Sequence, residues 1–183
     1  MWICLAAAGV MAASLAESRS AAQKIDSIER GRAPAGSRFF FSSNELNSFM
    51  RDEAKARVPG GVRDLRLTLQ SGRATGYALI DFVRLRQAAT GVAPGWLMKN
   101  LLAGERPVTV TARLSSQRGR ARVDVESVEV SGVPITGRAL DFLIDDYLKP
   151  TFPAAKVSEW FELGFRMDHL ALSPAGATVV VGR

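Results

Sequence analysis

The sequence predicts an α+β protein: a curved antiparallel sheet of about six strands, arranged as three hairpins and wrapped on a long amphipathic helix, with two further helices. Three observations predict it. The stretch 39–61 carries helical periodicity with its own start and stop signals. Three pairs of alternating segments are each joined by a Gly-containing turn. A helical pattern precedes each pair, beginning near Ser42, Pro94 and Thr136, with no residue-level repeat behind the recurrence. A sheet with one greasy face needs such helices to cover it.

The N-terminal residues Met1–Ala16 contain no charge and many small apolar side chains, and read as a signal peptide or N-terminal anchor. Ser14-Leu15-Ala16 offers a small-x-small cleavage site, and the segment falls short of the ~20 apolar residues of a comfortable membrane span. Cys4 is not preceded by a lipobox. The rest of the chain has no cysteine, which excludes a thiol nucleophile or cysteine metal site there. Residues 17–38 are polar and small, and read as a short helix over 21–30 followed by a mobile linker. One domain, 39–183, is expected beyond it. The net charge of +6 comes from 19 Arg and 5 Lys against 18 acids. Such a surface suits anionic headgroups or nucleic acid. Export favours the headgroups and an envelope or periplasmic location.

The organising helix starts with Ser42 and Glu45 at capping-box spacing, with Phe41 and Leu46 at the two positions of a hydrophobic staple. Leu46, Phe49, Met50, Ala54 and Val58 form its apolar stripe. Asn44, Asn47, Ser48, Arg51, Asp52 and Lys55 form the polar side, and Pro59-Gly60-Gly61 stops it.

In the first hairpin Leu65, Leu67 and Leu69 alternate, the turn is 70–73, and the return strand is expected over 74–86. That strand is apolar on both sides: Tyr77, Leu79 and Val83 on one, Ile80 and Phe82 on the other. Ala74, Gly76 and Ala78 leave space against the sheet for a helix or a bound molecule. A second helical piece, 91–104, carries Trp96, Leu97, Leu101 and Leu102 with Lys99 as its one charge. It reads as a short helix capping the core, or as a lid or membrane-touching element.

In the second hairpin a two-residue turn at Arg118-Gly119 sets Arg113 opposite Asp124, whereas a four-residue loop would oppose Arg113 to Arg122. The first register is favoured. The apolar parity then slips, because Val123 and Val125 are odd-numbered while Val128 and Val130 are even. A β-bulge near 126–128 is therefore expected. Thr136 is placed to cap a third helix, 137–149, with the stripe Leu140, Leu143, Ile144, Tyr147 and Leu148 and a stop at Pro150. A strand over 157–165 and a last hairpin, 169–172 with 177–182, complete the chain.

The chemistry-bearing residues are sparse. His169 sits in a strand with no paired His, Cys or acidic metal spacing, so no metal and no cofactor is expected. Asp145 and Asp146 are adjacent on a helix and point apart. Asp124, Glu126 and Glu129 read as strand surface charges. No nucleophile elbow, phosphate loop or dinucleotide fingerprint occurs. Arg118, Arg120 and Arg122 lie away from aromatics, which argues against nucleic acid.

The segments F-S-S-N-E-L-N-S-F-M (41–50), L-R-L-T-L-Q-S-G-R-A-T-G-Y-A-L-I-D-F (65–82) and M-D-H-L-A-L-S-P-A-G-A-T-V-V-V-G (167–182) resemble small bacterial envelope proteins of the tubular lipid-binding (TULIP-like) kind, LmeA-type and YceB-type. The "E-L-N" helix start and the Gly-containing hairpin turns carry the likeness. It implies a curved sheet around a long helix with a greasy groove for acyl chains. Carried over, it implicates Leu46, Phe49 and Met50 on the helix and the facing Leu79 and Phe82 as groove residues.

The expected function is a non-catalytic envelope protein that binds a lipid or other hydrophobic ligand, with membrane-surface contact through Trp96, Leu97 and Leu101. Two alternatives stand beside it. One is a scaffold that binds another protein. The other is an enzyme with scattered residues, which a polar pocket converging on His169, Asp145 or Glu159 would mark.

Overall fold

The computed structural model describes residues 3–57, 60–91, 103–151 and 157–182. Its centre is an antiparallel meander. The strands are β2 (Val62–Gln70), β3 (Arg73–Asp81), β4 (Glu105–Gln117) and β5 (Arg120–Val130). Tight turns join β2 to β3 and β4 to β5, while residues 82–104 lead from β3 to β4. The two-residue β6 (Val133–Pro134) continues it, and β7 (Trp160–Glu162) pairs with β5 farther along. These six strands form one curved open sheet, so the fold is α+β as the sequence predicts.

The second hairpin takes the favoured register. Arg118-Gly119 is the turn, and Arg113 lies opposite Asp124. The expected bulge is present too. Thr111 pairs with Ser127 and Ala112 with Val125, so Glu126 is the extra residue on β5. A second bulge, not foreseen, interrupts β2 between Arg63 and Arg66, where Asp64 takes φ 54°. Bulges bend the strand that carries them, and two on separate strands add to the curvature of the sheet.

Several expectations are corrected. The third hairpin does not extend this sheet. Strands β8 (Met167–Ser173) and β9 (Gly176–Val181) join β1 (Arg38–Ser42) in a separate three-stranded sheet, ordered β1-β9-β8. Residues 39–41 are strand, not helix: three consecutive aromatics favour extended backbone, and Phe41 is buried against Val179 and Val181. Helix α2 begins only where the capping box allows, at Ser43, and runs to Arg57. The N-terminal region is one continuous helix, α1 (Ile3–Glu29), packed on α2. Ala21 is fully buried, and Ile28 and Ala33 share its cluster, so 17–38 is part of the core and not a mobile linker. A low local hydrophobicity hid this, because small residues let the two helices approach closely. No described helix is long and apolar enough to cross a membrane.

Strand β3 stops at Asp81, short of the expected Arg86. Asp81 accepts a hydrogen bond from the Arg84 amide (3.0 Å) and caps helix α3 (Phe82–Thr90), which Gly91 closes in the left-handed conformation. The last helix, α4, spans residues 138–151. It is α-helical at Arg138–Leu143, π-helical at Ile144–Leu148 and α-helical again at Lys149–Thr151. Gly137, not Thr136, sits at its N-cap without a side-chain bond, and Pro150 lies inside it. The strand expected over 157–165 is confined to β7.

The two sheets meet end to edge. The backbone groups of β8 that point away from β9 are taken up by the ends of the large sheet's hairpins. The Gly119 amide donates to Asp168 O (2.6 Å), the Leu170 amide donates to Ser116 Oγ (2.9 Å), and the Gly72 amide donates to Leu172 O (3.2 Å). An edge that would otherwise offer a row of unpaired groups is thus covered.

Candidate functional site

A partly open apolar cavity of about 310 Å³ lies between the large sheet and the helices α3 and α4. Its floor draws two residues from each of the four long strands: Val62 and Leu65 from β2, Ala78 and Ile80 from β3, Val108 and Val110 from β4, Val125 and Val128 from β5. On β3 and β4 these pairs are two apart, the strand period. On β2 and β5 they are three apart. The bulges at Asp64 and Glu126 each absorb the odd residue and return the next apolar side chain to the same face.

The roof comes from Phe82 and Leu85 of α3 and from Leu140, Leu143, Ile144, Tyr147 and Leu148 of α4. The π segment inserts one extra residue into α4, which widens the stripe that faces the sheet. Tyr147 is the keystone of the roof. It is 4% exposed and makes edge-to-face contacts with Phe82 (5.1 Å) and Phe142 (5.7 Å). Small Ala78, on the central floor, is what leaves the volume open beneath it.

Two polar atoms are enclosed at the seam between α3 and α4. Tyr147 Oη and Arg86 Nε are both buried with no hydrogen-bond partner among the described residues. The Arg86 Nη1 atom lies 3.1 Å from Asp146 Oδ1. Burial pushes the Tyr147 phenol above its ordinary pKa, against the opposing pull of nearby Arg86, so the group is a neutral O–H donor at neutral pH.

A second hollow, about 460 Å³, shares the wall residues Ile144 and Leu148 with the first. It gathers Asp141, Asp145, Lys149, Ser158 and Glu159. Asp145 there accepts from Lys149 (2.7 Å), and both side chains are over 60% exposed. His169 is elsewhere, hydrogen-bonded to Asp168 at 2.8 Å on β8. The polar hollow therefore brings together Asp145 and Glu159 but not His169. Among the described residues no cluster of His, Cys, Asp or Glu could hold a metal ion.

Of the residues implicated by the sequence, Phe82 lines the cavity. Leu79 does not: it belongs to the opposite side of β3 from Ala78 and Ile80. Leu46 and Phe49 pack into the other core cluster, against α1 and the small sheet. Met50 is half-buried on the same helix. The organising helix is displaced from the cavity because α1 and the small sheet claim its apolar stripe. Trp96, Leu97 and Leu101 lie outside the described residues.

The "E-L-N" start has a clear structural role. Ser42 and Glu45 make both halves of the capping box, at 3.1 and 2.8 Å. Glu45 also accepts from Ser20 (2.5 Å) and Lys24 (2.6 Å) of α1. Burial alone would raise its pKa. The hydrogen bonds from Lys24, Ser20 and the Ser42 amide, with the charge of Lys24, outweigh that and hold the carboxyl below the ordinary value. Asn47 reaches the other way. Its amide donates to Leu67 O (2.8 Å) and accepts from the Leu67 amide (2.7 Å), pairing with the edge of β2 as another strand would.

Sequence reasoning missed α4 as half of the cavity roof, and it missed Arg86 and Tyr147. The stripe 140–148 was visible, but nothing local told which part of the sheet it covers. No protein-family model, curated protein or solved structure matches this chain.

Proposed function

We propose that this protein is a non-catalytic binder of a lipid or other hydrophobic small molecule, held between the large sheet and the α3–α4 roof. The observation that carries the reading is the unfilled cavity of about 310 Å³ with an almost wholly apolar lining. Ligand sites start near this size and share this composition, and an apolar void gives ordered water no partners. At ~30 Å³ per water-sized group, the volume takes on the order of ten methylenes. Burying them contributes on the order of 8 kcal/mol before ordering costs.

The resemblance to tubular lipid-binding envelope proteins supports the same reading, with the groove moved from α2 to the other helices. An exported location accompanies it. Among the described side chains of α1, the buried positions begin at Ser18, so cleavage after Ala16 would keep the buried Ser18 and Ala21 and give up the hydrogen bond from Ser14 to Ser48 (3.4 Å).

Against catalysis stands the openness of the polar hollow. Its Asp145–Lys149 pair is solvent-exposed, whereas catalytic carboxylates are commonly tuned by burial or a like-charged neighbour. Against a pure scaffold stands the void itself, since a scaffold has no need of one.

Native mass spectrometry of the full chain, with organic extraction of co-purified material, tests the proposal. A discrete adduct that extracts as an amphiphile is the expected result. A bare protein, still bare after incubation with phospholipid vesicles, would refute it. The same spectrum reads the N-terminus and so tests the export signal.

A further inference from the structure

The geometry points to the class of ligand head: an uncharged oxygen acceptor, as in an acyl ester, received between Arg86 Nε and Tyr147 Oη, with a single chain of about ten carbons in the cavity. The inference rests on the binding role proposed above and adds to it what the polar end must be.

Arg86 Nε and Tyr147 Oη are both buried at the α3–α4 seam without a well-formed hydrogen bond, although the phenol lies within reach of the Arg86 guanidinium. A buried donor left unsatisfied costs about 1–3 kcal/mol, and this seam holds two. The phenol oxygen can accept from the guanidinium, but the guanidinium has no lone pair to return, so the phenol's own hydrogen still needs an acceptor. An oxygen with two lone pairs placed between them satisfies both at once. Tyr147 belongs both to the seam and to the cavity wall, so a chain lying in the cavity ends where the donors begin. Both atoms are enclosed, so the head enters by drawing α3 and α4 slightly apart at a point where the contact is already unfavourable.

Charge decides between heads. Arg86 is already balanced by Asp146 at 3.1 Å. A carboxylate or phosphate would leave a net negative charge in an apolar enclosure, which is costly. An ester carbonyl brings the lone pairs without the charge. A bare alkane brings neither and leaves the donors as they are.

The test measures displacement of a hydrophobic fluorescent dye by methyl decanoate, decanoate and decane. The wild-type chain is expected to prefer the ester over both others by about tenfold, the factor that one hydrogen bond contributes. Tyr147→Phe is expected to cut the ester-to-decane ratio severalfold. The double variant Arg86→Leu/Asp146→Leu, which removes the other donor without stranding a carboxylate, should do the same. An unchanged ratio in both variants, or a preference for decanoate, would overturn the inference. If neither decane nor ester binds the wild type, it is the binding role itself that falls.

Discussion

Val125 and Val128 lie three residues apart on β5, yet both face the same cavity. In an unbroken strand that spacing would put them on opposite faces. The bulge at Glu126 reconciles them, and the Glu126 side chain, turned to the other face, is gripped by Arg113 (2.7 Å) of the adjacent β4 and by Arg73 (2.7 Å) of β3 beyond it. Those hydrogen bonds hold its carboxyl below the ordinary pKa.

Inserting one residue between Glu126 and Ser127 should therefore do more than lengthen a strand, because the bulge already absorbs one extra residue. One half of β5 must turn its valines away from the cavity, since a one-residue slip inverts every following side chain. Exposing two valines costs about 3 kcal/mol or more. Urea unfolding should show a stability loss of that size, while Glu126→Gln should lose much less.

Asn47→Ala is expected to destabilise the protein by about 1–3 kcal/mol, because the backbone of Leu67 loses both its partners at once. The local readout is hydrogen exchange at the Leu67 amide. It should accelerate in the variant far more than amides in the middle of β4.

Stability should fall in acid partly through Glu45. Its folded pKa lies below its ordinary value of 4.5. Its contribution is therefore complete above that value and is lost as pH falls through the lowered folded pKa. Glu45→Gln should cost about 1–2 kcal/mol at pH 7 through the weakened cap. It should also flatten the decline of the urea midpoint between neutral pH and pH 3. An acid limb as steep as that of the wild type would place the titration elsewhere.

Ala78→Trp puts a large ring on the cavity floor. Dye binding and any co-purifying amphiphile should disappear, while the far-ultraviolet circular dichroism spectrum stays that of the wild type. Retained binding would show that the ligand lies somewhere other than this cavity.

What the sequence disclosed follows from range. The capping box, the turn at Arg118-Gly119, the Arg113–Asp124 register and the bulge at Glu126 are local matters, each decided by residues within a dozen positions of one another. What it hid is which greasy surface meets which. The stripe of Leu46 and Phe49 could have covered either sheet, and the choice was made by α1, whose Ala21 and Ser18 give no periodic signal. Asn47 and Ser48 read as solvated, yet Ser48 is 1% exposed and accepts hydrogen bonds from Ser14 and Arg51. Phe82 sits at the other extreme. Its apolar character was plain, but one capping aspartate before it turned a strand into a helix and moved it from floor to roof.

The seam between the two sheets carries a different lesson, about how this architecture tolerates change. Two of its three bonds run from main chain to main chain, at Gly72 and Gly119. Backbone atoms do not record which side chains stand beside them. Descendants of this chain are free to rewrite most of β8 without disturbing the join. A single residue inserted into either hairpin loop would move a donor by a full step along the chain and part the sheets. Drift in this lineage should therefore show freely varying letters around loops of unvarying length.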